Sequence, residues 1–269
     1  MRYCYKMKKI IIILLLIHNS PVTAETLWKL GAGIGNITAN SYPGSDETES
    51  VTSPIPYLKV KTKWFDLDRE GLHTNWFKQT NFRVDFTFDL GLPVESEKNS
   101  LRTGMSDLQP VGLIGPMLIY QLADSEQTKW QLQLPLAYAY AFDGLDASSI
   151  GWSINPRIYF NYLIKNDGYP VDVSASFGPL YGSEDFHQYY YNVTADYANS
   201  NRSIYNTEEG DAGYRLNVSM TQRKNGYWLG LYLRYQNISN AVFVDSPLVK
   251  EKDYWFVGLG ISWLFAGNL

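Results

Sequence analysis

Cysteine is almost absent from this sequence, and long apolar runs are scarce. The 269 residues contain one cysteine, Cys4, so no internal disulfide can form. An exported chain without disulfides needs another source of stability, such as a large hydrogen-bonded sheet. The apolar run at residues 10–17 is far shorter than the roughly 20 residues that a spanning helix needs. The sequence therefore predicts no transmembrane helix.

The N-terminus has the pattern of a secretory signal. Basic residues precede the apolar run, and small residues follow it at Val22 and Ala24. The basic residues are Arg2, Lys6, Lys8 and Lys9. This order is typical of a signal peptide, and it predicts cleavage after Ala24. We expect residues 1–24 to be removed and residues 25–269 to form a single domain.

Basic residues are also in the minority. The chain has 23 Lys and Arg against 27 Asp and Glu, a net charge of −4. Without the four basic residues of segment 1–24, 19 basic residues would remain against 27 acidic ones, a net charge of −8. An acidic protein is a poor partner for nucleic acid, so we expect none.

Strict two-residue alternation is what the sequence has in abundance. In the segment 253–265 one face of a strand is large and apolar and the other is mostly small. The first face comprises Trp255, Val257, Leu259, Ile261, Trp263 and Phe265, and the second comprises Phe256, Gly258, Gly260, Ser262 and Leu264. Segments 82–92, 129–141 and 151–163 alternate in the same way, which indicates strands with one apolar and one polar face.

Three features favour a membrane barrel over a soluble sandwich. The runs of 9–13 residues match the about 9–11 that a strand needs to cross a bilayer, and Trp and Tyr recur near their ends, as in the aromatic girdles of such barrels. The polar faces carry charges that would cost about 2–4 kcal/mol at the lipid midplane. These side chains should point inward, where they could cross-brace the lumen or line a narrow channel: Lys59, Lys61, Arg83, Asp85, Asp89, Arg157, Asp172, Arg215 and Arg234.

Connection lengths predict the topology. Short connections at 123–128, 164–168 and 223–226 alternate with longer ones, as periplasmic turns alternate with external loops. The longer connections are 38–53, 93–110, 142–150, 181–211 and 239–252. The last short one contains Asn-Gly, a hairpin signal. We predict an all-β, antiparallel up-and-down transmembrane barrel of about ten strands, with both termini in the periplasm. Segment 65–81 is too long for a turn, and two short strands there would make twelve.

Few residues suggest chemistry. Asp66, Asp68 and Glu70 could contribute oxygen ligands to Ca²⁺, but the segment lacks the glycine and further ligands of a calcium loop, so a solvated turn is the better interpretation. His73 and His187 are the only histidines beyond residue 24. Neither lies in a recognisable Ser–His–Asp or zinc motif. We therefore expect no enzyme activity, no metal and no cofactor.

Segment 181–211 is rich in aromatic side chains. Rigid aromatic rings with interspersed Arg and Asn are typical of recognition surfaces. The same rings could instead fold the loop onto the barrel mouth, and the sequence does not separate these alternatives. The candidate interaction residues are Tyr189, Tyr190, Tyr191, Arg202 and Tyr205.

Several segments resemble the MipA/OmpV family of outer-membrane proteins. They include "YPGSDE" at 42–47, "PYLKVKTKWFDLDREGLH" at 56–73 and "GMSDLQPVGLIGP" at 104–116. The tyrosine cluster with Ala198, Arg202 and Tyr205, and "DSPLV" near the C-terminus, are the most specific. The resembling segments are spread along nearly the whole chain after residue 24.

The resemblance implies an outer-membrane barrel, surrounded by lipid, that acts as a scaffold for a lytic transglycosylase and a murein synthase. Other members resemble adhesins or stress-responsive surface proteins, so an adhesin remains an alternative. A narrow channel is another alternative, and it rests on the inward charges. A scaffold would meet these enzymes through its periplasmic turns. The candidate contacts there are Asp66, Asp68, Arg69 and Glu70.

Overall fold

The computed structural model describes residues 26–68, 71–74, 81–166 and 168–269. The predicted signal peptide, together with Arg69 and Glu70, lies outside these residues. The strands are β1 Leu27–Asn40, β2 Thr48–Lys61, β3 Phe65–Asp68, β4 Gly71–Thr74, β5 Phe82–Gly91, β6 Val111–Asp124, β7 Thr128–Asp143, β8 Asp146–Ile154, β9 Arg157–Ile164, β10 Val171–Gly182, β11 Gly210–Lys224, β12 Tyr227–Asn237 and β13 Asp253–Gly267. One α-helix, α1 at Glu184–Tyr191, and two 3-10 helices at Ser96–Lys98 and Ala195–Tyr197 lie between strands.

The strands close into an antiparallel barrel. Apart from β8 and β9, each strand pairs with its sequence neighbours, and β1 pairs with β13 to complete the circle. β8 and β9 share one position between β7 and β10, because Pro156 interrupts the strand and has no N–H to donate. The Asn155 side chain donates to the Pro179 carbonyl instead, at 2.7 Å. The wall therefore has twelve positions.

The wall has twelve strand positions and not the ten first predicted. The difference is due to β3 and β4, the two short strands that were considered for segment 65–81. Four residues each are too few to show periodicity in the sequence. The expected long connection at 142–150 is also wrong: β7 and β8 meet in a tight hairpin in which Asp143 pairs with Asp146. The Asn-Gly turn is as predicted, with positive φ at both Asn225 and Gly226.

Large apolar side chains line the outside of β13 because they face lipid, with Trp255 49% and Trp263 58% exposed. The inner face is small because Trp228 fills the lumen beside it. A Cβ on Gly260 would lie 3.1 Å from the Ile55 side chain and 3.2 Å from the Trp228 ring. Glycines on β13 therefore make room for bulky lumenal residues on neighbouring strands.

The long connections fold into a cap over one end of the barrel. The cap core contains Tyr42, Val94, Leu108, Leu180, Tyr191, Ala212, Ile238, Ala241 and Phe243. These residues come from four connections and the strand ends next to them, so the loops pack on one another. No helix in the described residues is long and apolar enough to cross a membrane.

Candidate functional site

An ion cluster bridges the lumen just below the cap. Asp89 on β5 accepts from Arg215 on β11, with Oδ2 and Nη1 3.0 Å apart, and from Arg234 on β12, with Oδ1 and Nη2 2.8 Å apart. Arg234 also donates to Asn217 and to the Tyr232 hydroxyl. Cross-bracing, one of the two alternatives for the inward charges, therefore occurs here.

A second ion cluster lies on the lumenal side of β3, β4 and β5. His73 Nδ1 lies 2.8 Å from Asp85 Oδ2, which also accepts from Arg83 Nε at 2.9 Å. Lys59 Nζ lies 3.3 Å from Asp68 Oδ2 and 4.0 Å from Asp66 Oδ1. Asp66 and Asp68, the predicted periplasmic contacts, thus have basic partners within the barrel. Within the described residues, no group of three or more His, Cys, Asp and Glu is placed to hold a metal.

Positive charge exceeds negative charge near the bridging cluster. Arg157 Nε donates to the Gln133 amide oxygen at 2.8 Å, and Arg157 Nη2 lies 3.4 Å from the sulfur of Met117. Both partners are neutral. Arg157, Arg215 and Arg234 are thus three inward arginines near one inward carboxylate, that of Asp89. Asp172, another inward acid, accepts from the Asn161 amide on the neighbouring strand.

The predicted aromatic segment contributes to the cap. The Tyr191 ring stacks on Phe243 with centroids 3.7 Å apart, and its hydroxyl donates to the Pro43 carbonyl at 2.7 Å. Burial raises the pKa of the Tyr191 hydroxyl well above its ordinary value. Arg202 is 8% exposed and donates to the carbonyls of Leu101 and Thr103. These contacts join segment 181–211 to the three loops that contain Pro43, Leu101 and Phe243.

The remaining candidate tyrosines are half-buried in the same cap. Tyr189 and Tyr190 form an edge-to-face pair, and Tyr190 also packs edge-on against Phe186. The Tyr205 hydroxyl donates to the Val242 carbonyl at 3.1 Å. These contacts agree with the alternative in which the rings fold the loop onto the barrel mouth. A role of these residues in binding a partner stays a prediction.

His187 lies in the cap core and does not meet the groups that a hydrolytic triad would use. It is 1% exposed, and its Nδ1 lies 2.8 Å from the Glu208 carbonyl oxygen. Burial lowers the pKa of this imidazole. The nearby Ser183 hydroxyl instead caps α1, accepting from the backbone N–H groups of Trp152 and Phe186.

The two ends of the barrel carry opposite charge. The capped end is acidic, and the described turns at the other end are rich in lysine. Acidic residues at the capped end include Asp46, Glu47, Glu95, Glu97, Asp107, Asp143, Asp146, Glu184, Asp185, Asp196, Glu208, Glu209, Asp245 and Glu251. At the opposite end lie Lys61, Lys63, Lys129, Lys165 and Lys224, with Asp124 and Glu126. We call these turns, with Trp64, the basic rim; Trp64 is 55% exposed and lies under the Lys63 ammonium.

Solved outer-membrane proteins are similar over most of the chain. OmpT, an outer membrane protease from Escherichia coli, matches with a TM-score of 0.38 and 6% identity, covering 90% of this chain and 96% of its own. The toluene transporter TodX from Pseudomonas putida matches with a TM-score of 0.32 and 8% identity, covering 90% of this chain and 89% of its own. OprG from Pseudomonas aeruginosa gives a TM-score of 0.25 and 10% identity, with 89% and 95% covered.

A family comparison is more specific. The family described as MltA-interacting protein MipA matches residues 30–265, nearly the whole chain. No curated protein matches the sequence. The family match confirms the resemblance seen in the sequence, and the closed barrel confirms the predicted fold class.

Proposed function

Because the chain belongs to the MltA-interacting protein MipA family, we propose that this outer-membrane barrel is a scaffold for peptidoglycan-remodelling enzymes. It binds a lytic transglycosylase of the MltA type at its periplasmic end and, with it, a murein synthase. The scaffold has no catalytic step of its own. Residues 1–24 direct its export and are removed.

The basic rim carries this proposal. The start of β1 and the end of β13 lie at this end, which is the periplasmic end of a barrel with short turns on that side. Lysines spread around the rim attract an acidic partner surface, and such attraction speeds encounter and selects the partner. Trp64 adds a large apolar contact of the kind that dominates interface energetics. Its neighbour Lys63 stacks on the indole, so the two form one contact.

The capped end supports the same orientation of the barrel, with the basic rim toward the periplasm. Its loops pack on one another through a shared apolar core, and its surface is acidic. The ion cluster of Asp89, Arg215 and Arg234 lies beneath it. The uncapped end, where β1 begins and β13 ends, is therefore the one that can meet an enzyme anchored in the periplasm.

Binding of purified MltA to the barrel in lipid nanodiscs tests the proposal. We expect Trp64→Ala, and separately the pair Lys63→Gln and Lys165→Gln, to weaken binding several-fold. Affinity should also fall as salt is raised, since surface charges are screened within about 8–10 Å at physiological ionic strength.

The matched control is the pair Lys98→Gln and Lys250→Gln on the capped end, which removes the same charge from the opposite face. Equal weakening by both pairs, or no binding of MltA by the unaltered barrel, would overturn the proposal. Heat-modifiable gel migration establishes that every variant is folded.

A further inference from the structure

A cavity of about 90 Å³ lies between the cap and the bridging ion cluster. It is lined by Asp89, Arg215 and Arg234 of the wall and by residues of the cap that include Tyr190 and Phe243. A single water needs roughly 10–15 Å³ of such space, so there is room for a small organic molecule. The side chains of Asp89 and Arg215 are 26% and 19% exposed, so small solutes can reach the cluster.

The ion cluster beside this cavity has more positive than negative charge. Asp89 accepts from both Arg215 and Arg234, so two guanidinium groups share one carboxylate. The other partner of Arg215 is the neutral amide of Gln236. Arg234 otherwise donates to neutral oxygens among the described residues. Shielded charge without a counter-charge is costly, so one further negative charge here would balance the cluster.

Two tyrosines add hydrogen-bond donors to the same cavity. Tyr190 and Tyr254 line it, and in the described part of the chain their hydroxyls have no acceptor. Tyr254 is only 8% exposed. A Cβ on Gly91 would lie 3.1 Å from the Tyr190 hydroxyl, so this hydroxyl reaches from α1 to β5, close to Asp89. Burial raises the pKa of the Tyr190 hydroxyl, which therefore keeps its proton and remains a donor.

The arginines also have N–H groups to spare. Arg234 uses Nε and Nη2 for its partners, and its Nη1 donates to none of the described residues. Arg215 Nη1 carries two N–H groups and uses one for Asp89. With the hydroxyls of Tyr190 and Tyr254, these groups provide four donors. A carboxylate has two oxygens that together accept about four hydrogen bonds, and its single negative charge matches the excess. A doubly charged anion would leave the cluster negative.

The rest of the lining is largely apolar. Leu113, Leu180, Phe186 and Phe243 contribute to the same cavity. A short alkyl group attached to a carboxylate would be buried against such side chains, which favours binding through the hydrophobic effect. The small volume excludes a long chain. The lining therefore selects a ligand with one charged end and one short apolar end.

We propose that this cavity binds a short-chain monocarboxylate, which joins the cap to the barrel wall. Its carboxylate accepts from Arg215, Arg234 and Tyr254 of the wall and from Tyr190 of α1, and hydrogen bonds of this charge-assisted kind are the strong ones. Because α1 belongs to the cap, a bound ligand holds the cap on the wall. The site is separate from the basic rim and does not depend on the scaffold role.

Equilibrium dialysis of radiolabelled propionate against the barrel in lipid nanodiscs tests the site, with empty nanodiscs as the blank. We expect one propionate per barrel. Propionamide has the same shape without the charge and should compete about tenfold less well, because hydrogen bonds to a charged acceptor are stronger. Sulfate should also compete less well than unlabelled propionate. Equal competition by propionamide would exclude recognition of charge, and stronger competition by sulfate would exclude a monocarboxylate site.

A double variant tests the hydroxyl donors. Tyr190→Phe with Tyr254→Phe removes both hydroxyls and keeps the rings and the charges, so the affinity for propionate should fall about tenfold or more. The matched control is Tyr214→Phe with Tyr227→Phe, two outward-facing tyrosines that are 37% and 47% exposed. This control pair should bind propionate normally. Equal weakening in both pairs would show that the cavity is not the binding site.

Hydrogen exchange of α1 tests whether the ligand holds the cap. Saturating propionate should slow this exchange in the unaltered barrel and leave it unchanged in the variant Tyr190→Phe with Tyr254→Phe. Propionate binding that is unchanged in this variant, or exchange that propionate does not slow in the unaltered barrel, would overturn the proposal. Normal gel migration is required of each variant. If the double variant does not fold, Tyr254→Phe alone takes its place.

Discussion

Asp89 and Arg215 meet across the lumen, with the carboxylate Oδ2 and the guanidinium Nη1 3.0 Å apart, although β5 and β11 lie on different sides of the barrel. Hydrogen bonds between neighbouring strands hold the wall together locally. A pair that spans the lumen instead fixes how far apart distant parts of the wall can be. Asp89 also holds Arg234, so one carboxylate ties β5 to two strands.

Replacing Asp89 with Asn should destabilise the barrel more than a typical polar substitution. The change leaves Arg215 and Arg234 close together without their shared counter-charge, and breaking a shielded ion pair costs about 3 kcal/mol or more. Urea unfolding in lipid vesicles, followed by tryptophan fluorescence, measures this loss. Asp172→Asn is the control, since Asp172 contacts the neutral Asn161 amide. Similar losses for both variants would contradict the role of the bridge.

Replacing Tyr191 with Ala should open the cap and leave the barrel closed. The ring stacks on Phe243 and its hydroxyl bonds to Pro43, so truncation leaves a cavity and an unpaired carbonyl. Loss of a buried aromatic costs about 3–5 kcal/mol. Hydrogen exchange in segment 181–211 should accelerate while gel migration stays normal. Tyr227→Ala, at an exposed ring, is the control, and slow exchange in Tyr191→Ala would contradict this account of the cap.

The sequence predicted the wall better than the cap. Alternation predicted the inward and outward faces, because each strand of a membrane barrel contacts lipid on one side and the lumen on the other. Arg202 was recognised as a candidate, but its partners Leu101 and Thr103 are about a hundred residues away, and no local pattern predicts such contacts.

Gly230 should tolerate no side chain while Trp228 is present. A Cβ at Gly230 would overlap the indole of Trp228, which lies in the lumen over it. Overpacking of this kind costs about 1–3 kcal/mol. We expect Gly230→Ala to lower the free energy of unfolding, and Trp228→Leu to remove part of that penalty in the double variant. A double-mutant cycle measures the coupling, and strict additivity would show that the two residues do not compete for space.

The cap should weaken as pH falls through the ordinary titration range of histidine. Burial lowers the pKa of His187 in the folded cap, so the unfolded segment takes up its proton first, near the ordinary pKa of about 6.5. Protonation therefore favours the open cap below that pH, and the stability due to the neutral imidazole is complete above it. Hydrogen exchange of α1, corrected for its intrinsic pH dependence, should show less protection at pH 5.5 than at pH 7.5. His187→Gln should remove most of this difference, because its amide can still reach the Glu208 carbonyl and does not titrate. An unchanged pH dependence in that variant would show that His187 is not the group responsible.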